Sequence, residues 1–483
     1  MNANELLNAT KAGFPYFYIQ TNEIGRTVDD LLALYKETDY SPEVWDFEND
    51  PDPENALRKL EDGPIKTVVI AKNWNWFLVD DMRELNKQFV TFLQNRSSLY
   101  ASAEFRKIFI ILGEPTFDVA IPNCLQKDFL PLDFGLPTNE QIVEVMEWII
   151  ESASSNPKFV TPDDETKQKI VDNSKGLTVR ELKNAYAYSI IKNEGVFDPV
   201  TVGEIQAREI EKTAGLSLDK YSTPKPIGLD NMIDFVISCI LGDHPELAKG
   251  ILIVGPPGTG KTMFAEYIST ICGMKVLGAE MAELFGKFVG ESEGLMKAFL
   301  DIVKANNPAI LFIDEIEKAL AGVGGGQTGD GGTTTRSMSQ FLKFLSKESE
   351  RQGIYVIGTC NNISAMPPEW VRAERWDAIF FVDLPEKDQR EAIFDHYKTK
   401  YDVKGVVKDT KGWSGAEIKS VCRMARMMGK KIDQVQQFIV PVSRTMKTEI
   451  EGLRNWAKDR TVPANTVIKG SKRTKAAGRS LEL

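Results

Sequence analysis

Residues 251–262 read ILIVGPPGTGKT, an apolar run followed by a glycine-rich loop. The pattern Gly-x-x-x-x-Gly-Lys-Thr from Gly255 to Thr262 predicts a loop whose backbone N–H groups surround a phosphate, with a helix over 263–271. Lys261 is expected to reach the β- and γ-phosphates, and the Thr262 hydroxyl to ligate Mg²⁺. The strand before the loop and the helix after it distinguish this pattern from an ordinary glycine-rich turn.

A second motif follows a later apolar strand in the same half of the chain. Residues 309–313 read AILFI and end in Asp314-Glu315. If this strand lies beside the P-loop strand, Asp314 falls next to the Mg²⁺ shell and Glu315 can polarise an attacking water. Acidic pairs after strands are also common as helix caps. Combined with an upstream P-loop at this spacing, the pair indicates nucleotide hydrolysis.

Composition excludes several other classes of protein. The 483 residues, 42% hydrophobic and 27% charged, predict about two to four soluble domains. Apolar runs are too short for a membrane span, and the N-terminus lacks a basic, apolar leader, so we expect a cytoplasmic protein that does not enter membranes. The net charge of −10 argues against general nucleic-acid binding.

Cysteine and histidine usage excludes two further kinds of site. The five cysteines lack metal-ligand spacing and are expected to be reduced core thiols: Cys124, Cys239, Cys272, Cys360 and Cys422. Only two histidines are present, which argues against a zinc site or a histidine-based catalytic triad.

Apolar and amphipathic segments alternate in both halves of the chain, which predicts parallel α/β sheets. In the first half we expect strands at 14–20, 67–71 and 107–112, helices at 27–35 and 80–93, a loop at 48–54, and helical structure from 177 to 210. In the second half we expect a five-stranded core with strands at 251–254, 275–277, 309–313, 354–357 and 378–382. No strand pattern follows Pro385, where only helices are expected.

The second half resembles the AAA ATPases over residues 228–458. That resemblance implies ATP and Mg²⁺ as cofactors and a homo-oligomeric ring of six subunits. Asn361 resembles the sensor that orients the hydrolytic water, and Arg372 and Arg375 resemble the arginine finger that completes a neighbour's site. The segment Lys287-Phe288-Val289 resembles the pore loop that grips a polypeptide. The residues implied to contact ATP are Gly228, Gly255, Pro256, Pro257, Gly258, Thr259, Gly260, Lys261, Thr262, Met263, Gly415 and Ala416.

An internal repeat is the other informative feature. YFYIQTNEIGRT (16–27) aligns with ILIVGPPGTGKT, so that Arg26 takes the place of Lys261, while Gln20 and Glu23 replace glycines. The strand at 68–71 ends in Lys72 without an acidic pair. Sheets of this class share such patterns, which is one interpretation. We favour the other, a degenerate AAA-like copy that neither binds nor hydrolyses ATP.

These patterns predict six parts. They are a degenerate α/β domain (1–155), a helical lid-like subdomain (156–216), a linker (217–228), the ATPase large domain (229–385), a helical lid (386–458) and a flexible tail (459–483). The degenerate half and a glycine-rich loop at 322–332 are similar to the AAA ATPases of cyanobacteria and chloroplasts known as hypothetical reading frames. That similarity adds the interior of a plastid as a second expected location.

Three functions are compatible with this architecture. The favoured one is an Mg²⁺-dependent ATPase ring that moves its pore loops against a macromolecule, expected to be a protein. The second is an ATP-dependent assembly switch without threading. The third is a nucleic-acid motor, suggested only by basic residues in the tail: Lys469, Lys472, Arg473, Lys475 and Arg479.

Overall fold

The computed structural model describes residues 3–21, 23–79, 85–114, 120–133, 135–219, 223–279, 292–320, 331–351, 353–372, 374–407 and 409–465. The chain divides into two compact units, Met1–Gln206 and Ala207–Leu483. The predicted pore-loop residues Lys287, Phe288 and Val289 lie outside the described ranges, as do residues 466–483 with their basic side chains. None of the described helices is long and apolar enough to cross a membrane.

The first unit contains a five-stranded parallel sheet in the order β2-β3-β4-β1-β5. Its strands are β1 (Tyr16–Gln20), β2 (Ser41–Trp45), β3 (Thr67–Lys72), β4 (Ile108–Gly113) and β5 (Phe129–Asp133). The central strand β4 is buried along its whole length, as expected for an apolar strand covered on both faces. The covering helices are α1 (Ala3–Ala12), α2 (Ile24–Lys36), α3 (Glu54–Asp62) and α4 (Lys87–Ala101).

Four further helices complete the first unit and its junction with the second. They are α5 (Asn139–Ala153), α6 (Asp164–Asp172), α7 (Val179–Lys192) and α8 (Pro199–Ala214), and the division between the units falls within α8. Ile142 and Met146 of α5 share one apolar core with Leu182 and Tyr186 of α7. The apolar core of the helical subdomain therefore includes α5, which precedes the predicted boundary at residue 155.

The second unit is built on a seven-stranded sheet in the order β12-β11-β7-β10-β9-β8-β6. Its strands are β6 (Leu216–Asp219), β7 (Gly250–Val254), β8 (Lys275–Ala279), β9 (Ala309–Ile313), β10 (Ile354–Cys360), β11 (Ala378–Phe381) and β12 (Val462–Pro463). All neighbours are parallel except β6, which runs antiparallel to β8. The five predicted strands are present at the centre of this sheet.

The two outer strands correct the sequence predictions. Residues 216–219 were expected in part to be linker and residues 459–465 to be tail, yet both add a strand to the sheet. Ala464, just after β12, is buried against the core of the second unit. Leu216 and Leu218 alternate with polar residues, but a run of four residues, or of two at 462–463, is too short to predict a strand and depends on the partner it pairs with.

Helices flank this sheet and form a separate lid. Around the sheet lie α9 (Asp230–Leu241), α10 (Lys261–Cys272), α11 (Ser292–Ala305), α12 (Ile316–Leu320), α13 (Gly331–Ser346) and α14 (Glu348–Arg351). The lid contains α15 (Lys387–Tyr401), α16 (Gly415–Met428), α17 (Ile432–Val435), α18 (Val442–Thr445) and α19 (Lys447–Ala457). Its core includes Trp413, Ile418 and Val421.

Both units share one strand order. The series β5-β1-β4-β3-β2 of the first sheet corresponds to β11-β7-β10-β9-β8 of the second, with every pair parallel. In each series the strand that comes first in the sequence, β1 or β7, is followed directly by a helix and lies between the fourth and fifth strands of the series. One helix prediction in the first unit is wrong in its limits: α4 begins at Lys87 because the Asn86 side chain caps it, accepting from the Phe89 N–H, and residues 74–77 form a 3₁₀ turn.

Candidate active site

The loop between β7 and α10 depends on glycine at three positions. Gly258 and Gly260 adopt left-handed conformations, with φ values of +77° and +96°. At Gly255 a Cβ atom would lie 2.1 Å from the Val382 carbonyl oxygen. A side chain at any of these positions would strain the loop or push the strands apart. The sequence therefore builds a tight backbone cradle at the carboxyl ends of the strands.

Lys261 begins α10 and lies within this cradle. Its Nζ donates to the carbonyl oxygens of Gly255 and Pro256 at 2.9 and 2.8 Å. Burial lowers its pKa from the ordinary 10.5 to about 8, while the Asp314 carboxylate opposes this shift. Thr262, the next residue, is exposed. Both residues lie at the start of α10, directly after the glycine loop.

Asp314 and Glu315 follow β9, two strands from β7 across β10. The buried Thr359 hydroxyl on β10 donates to Asp314 and accepts from the Glu315 backbone N–H at 2.9 Å. Glu315 itself has a left-handed φ of +48°, which is uncommon for a residue with a side chain. Its carboxylate also forms an ion pair with the exposed Lys318.

Asn361 lies at the end of β10 and completes the cluster. Its Nδ2 donates to Glu315 Oε1 at 2.8 Å. Within the described part of the chain, its buried Oδ1 has no hydrogen-bond partner. Its backbone N–H is held by Glu317 Oε1 at 2.8 Å, and the same oxygen accepts from the Asn362 N–H at 3.2 Å. An unsatisfied buried acceptor beside an oriented carboxylate is suited to holding a water molecule.

Sequence reasoning missed two members of this cluster, Thr359 and Glu317. Thr359 lies near the carboxyl end of the buried strand β10, and its 0% exposure makes its hydroxyl an internal link between the two acidic residues. Glu317 is 5% exposed and fixes the backbone at Asn361. A polar residue in a buried strand and a third acid after Asp314-Glu315 were the available signals.

The lid contacts the loop through the start of α16. The Ala416 N–H donates to the Gly258 carbonyl oxygen at 3.1 Å. Ser414 caps this helix in a capping box with Glu417. A Cβ at Gly258 would lie 2.9 Å from the Ala416 Cβ, so the close approach of lid and loop depends on that glycine.

Beside this contact is a cleft with about 350 Å³ of open space. Gly228, Thr259 and Gly415, three of the predicted nucleotide-binding residues, line it together with Gln389 and Asn465. Gly228 has a φ of +81°, and a Cβ there would lie 2.7 Å from the Gln389 Cδ. A cleft lined by both apolar and polar side chains suits a small organic group.

Arg372 and Arg375 are not part of this cluster. Arg372 is exposed. Arg375 is partly buried and donates to the Glu369 carbonyl oxygen, and burial lowers its pKa. Arg372 is therefore the more exposed of the two arginines.

The corresponding position in the first unit has different chemistry. Glu23, which replaces Gly258, accepts from the Arg26 guanidinium at 2.9 Å and from the Arg180 backbone N–H at 3.1 Å. Arg180 lies in the first turn of α7, the helix that corresponds to α16. Lys72, at the end of β3, pairs with Asp46 at 2.6 Å. The Glu23 carboxylate therefore lies at the N-terminus of α7 in this unit.

The residues of the second unit fit a nucleoside triphosphate with Mg²⁺. The glycine cradle leaves room for phosphate oxygens, Lys261 supplies a cation, Asp314 and Thr262 are oxygen ligands of the kind Mg²⁺ prefers, and Asn361 has a buried acceptor to satisfy. Residues 251–384 match the model of the ATPase family associated with various cellular activities (AAA). The second unit therefore carries an AAA ATPase domain.

Relatives extend the similarity to the first unit. The chain is 26% identical to the uncharacterized AAA domain-containing protein ycf46 of Trieres chinensis, covering 94% of this chain and 96% of that protein. It is 28% identical to the ycf46 protein of Guillardia theta, over 92% and 93% of the two chains. It is 29% identical to proteasome-activating nucleotidase 1 of Haloferax volcanii, over 49% of this chain and 56% of that protein.

Proposed function

We propose that the second unit binds and hydrolyses Mg²⁺-ATP within a ring of identical subunits and uses the energy to remodel a protein. The main support for hydrolysis is the 2.8 Å hydrogen bond between Asn361 and Glu315. It joins the predicted sensor to the predicted base, at the end of a strand adjacent to the P-loop strand.

Each polar side chain has a separate task in this proposal. Mg²⁺, when bound, neutralises charge on the phosphates. Lys261 holds the phosphates, and Thr262 and Asp314 hold the metal ion. Glu315 accepts a hydrogen bond from the attacking water and then takes its proton. Asn361 orients both the water, through its free Oδ1, and Glu315, through its Nδ2.

Ring assembly is proposed because, within the described part of the chain, no arginine hydrogen-bonds to Asp314, Glu315 or Asn361, and the AAA resemblance implies an arginine finger supplied by a neighbour. An arginine finger supplied by a neighbour accelerates related reactions by roughly a thousandfold or more. The exposure of Arg372 favours it for this task, while Arg375 is engaged with Glu369. Head-to-tail packing of identical subunits closes into a ring, and six is the number that the AAA resemblance implies.

A protein substrate is favoured by the similarity to proteasome-activating nucleotidase 1. The location is proposed as the cytoplasm or the interior of a plastid, in line with the two expectations from sequence.

The proposed activity is tested by steady-state ATP turnover, measured for the chain alone, with an unfolded polypeptide, and with DNA or RNA. Stimulation several-fold by the polypeptide supports remodelling. Stimulation by nucleic acid alone supports the motor alternative, and no turnover in Mg²⁺ under any condition contradicts the proposed activity.

We propose further that the first unit is a closed copy that takes no nucleotide. The supporting observation is the double engagement of Glu23, by Arg26 and by the Arg180 N–H. In the second unit the equivalent helix N–H meets a loop carbonyl and leaves the cradle open. A carboxylate at this position satisfies the helix N-terminus internally and would repel a phosphate. The unit would then serve as a scaffold or as a docking surface for a partner.

A further inference from the structure

The last described residues, which follow the lid helix α19, line the cleft beside the P-loop. After α19, strand β12 pairs with β11, with Val462 opposite Phe380. The Ala464 N–H donates to the Phe381 carbonyl oxygen at 3.1 Å, and the Ala464 carbonyl oxygen accepts from the Met232 N–H at 3.2 Å. These bonds fix the segment 462–464 to the large domain on two sides.

A side-chain bond and apolar packing add to this attachment. Asn231 Nδ2 donates to the Pro463 carbonyl oxygen at 2.7 Å. Ala464 is 1% exposed and belongs to the same apolar core as Leu229, Met232 and Val382. The next residue, Asn465, lines the cleft together with Gly228 and Leu229.

The part of a nucleotide that would lie here follows from the position of Lys261. Lys261 marks the phosphate end of the P-loop, whereas the cleft extends from Thr259 toward the apolar side chains of Ile227, Leu229 and Ile393. The apolar side chains at that end suit the face of an aromatic base, and Asp383, Gln389 and Asn465 also line the cleft with polar groups. The base, and not the phosphates, therefore falls beside Asn465.

The chemistry of the asparagine amide points to what it would contact. An amide presents a donor and an acceptor side by side, which matches the 6-amino group and the adjacent ring nitrogen of adenine. Gln389 also lines the cleft, but its Oε1 already accepts from the Glu386 N–H at 2.9 Å at the start of α15. This leaves the Asn465 amide as the better placed of the two to make the paired contact.

We propose that Asn465 is a specificity-determining residue that contacts the 6-amino edge of adenine, and that the segment 462–465 forms one wall of the base pocket. This inference rests on the proposed ATPase function. It assigns a task in nucleotide selection to a segment beyond the lid, outside the P-loop and the acidic pair.

The test compares ATP with purine riboside triphosphate, which lacks the 6-amino group, in the full-length chain. The unmodified chain should bind ATP roughly three- to tenfold more tightly than the analogue, the value of one or two hydrogen bonds. In Asn465→Ala this preference should fall to nearly one, and the affinity for the analogue should fall less than that for ATP, because the analogue keeps the ring nitrogen but lacks the 6-amino group. Arg460→Ala lies just before this segment and outside the cleft, so it should keep the preference.

Two shortened chains give a second readout. A chain ending at Asn465 should keep the preference for ATP, and a chain ending at Ala464 should lose it. An unchanged preference in Asn465→Ala, or its loss in the chain ending at Asn465, overturns the inference. Absence of ATP binding by the unmodified chain would instead contradict the proposed function, so the two failures are distinguishable.

Discussion

Glu315 is the residue on which the proposed chemistry depends, and its backbone is strained. A left-handed φ of +48° at a residue with a side chain costs on the order of 1 kcal/mol or more. Thr359 holds its N–H and Asn361 holds its carboxylate, so the surrounding strands maintain this conformation. This conformation places the carboxylate at the carboxyl edge of the sheet, beside Asn361.

We expect Glu315→Gln to reduce ATP turnover by roughly a hundredfold or more while changing ATP affinity less than a few-fold. Glutamine keeps an acceptor for Asn361 but cannot take a proton from water. Steady-state turnover and nucleotide titration measure the two effects separately. Lys318→Ala, which removes only the exposed partner of Glu315, is the matched control and should retain most of the turnover. Turnover at the unmodified rate in Glu315→Gln would exclude the assigned role.

The lowered pKa of Lys261 predicts a pH dependence of nucleotide binding. Its pKa is about 8 when folded and 10.5 ordinarily, so the unfolded chain binds more protons between these values. The contribution of Lys261 to the free energy of unfolding therefore rises with pH across that window. Bound phosphates favour the charged amine, so binding should take up a proton and weaken as the pH rises above about 8.

Calorimetric titration with ATP at about pH 8.5, in buffers of different ionisation enthalpy, should show uptake of roughly half a proton or more. Lys318→Ala should show the same uptake, because that lysine is exposed and outside the cradle. A binding enthalpy independent of the buffer would contradict the buried, partly neutral state of Lys261.

The helices α7 and α16 carry the contrast between the units. Each begins with a capping box, at Thr178 and Ser414. In each helix a backbone N–H of the first turn donates to the loop that follows β1 or β7. In the second unit that N–H meets the Gly258 carbonyl, and in the first it meets the Glu23 carboxylate. The same pair of elements can therefore admit a nucleotide or hold its own anion.

We expect Glu23→Ala to lower the free energy of unfolding by about 1–3 kcal/mol, because it leaves Arg26 and the α7 N-terminus without their shared anion. Urea unfolding measures this loss, and ATP affinity should not change. Glu37→Ala, an exposed substitution just after α2, should change stability by less than about 0.5 kcal/mol. Equal urea midpoints for the two variants would show that Glu23 does not hold the first unit together.

Sequence patterns predicted the central elements and not the edges. The run AILFI matches β9 residue for residue, because a strand buried on both faces is apolar throughout. Strands β6 and β12 were missed because a pairing of four or two residues is decided by its partner. Lys261 and Asp314 were predicted from motif spacing and Asn361 from the family resemblance, whereas Glu317 and Thr359 act through backbone and internal bonds that no spacing encodes.

Taken as a whole chain, the protein repeats one strand order with two chemistries. The 26% identity to the Trieres chinensis protein covers 94% of this chain, so the relative is similar across both units. The two copies differ at the positions that would touch phosphate or Mg²⁺. This is expected if one copy hydrolyses ATP and the other is retained for assembly or docking.

Mixing two inactive variants tests the proposed ring. Arg372→Ala subunits should bind ATP normally but fail to complete a neighbour's site, while Lys261→Ala subunits should not bind ATP yet still supply Arg372. Mixed rings should recover part of the unmodified turnover, since some interfaces pair an intact Lys261 with an intact Arg372. Arg375→Ala mixed in the same way shows which arginine acts. If both variants assemble and no mixture is active, the action between subunits is wrong.

The most direct test of the division between the units is the number of nucleotides bound per chain. Calorimetric titration of the full-length chain with ATP should give about one site, abolished by Lys261→Ala and unchanged by Arg26→Ala. Two sites per chain, or a site that survives Lys261→Ala and is lost in Arg26→Ala, would contradict the assignment of nucleotide binding to the second unit alone.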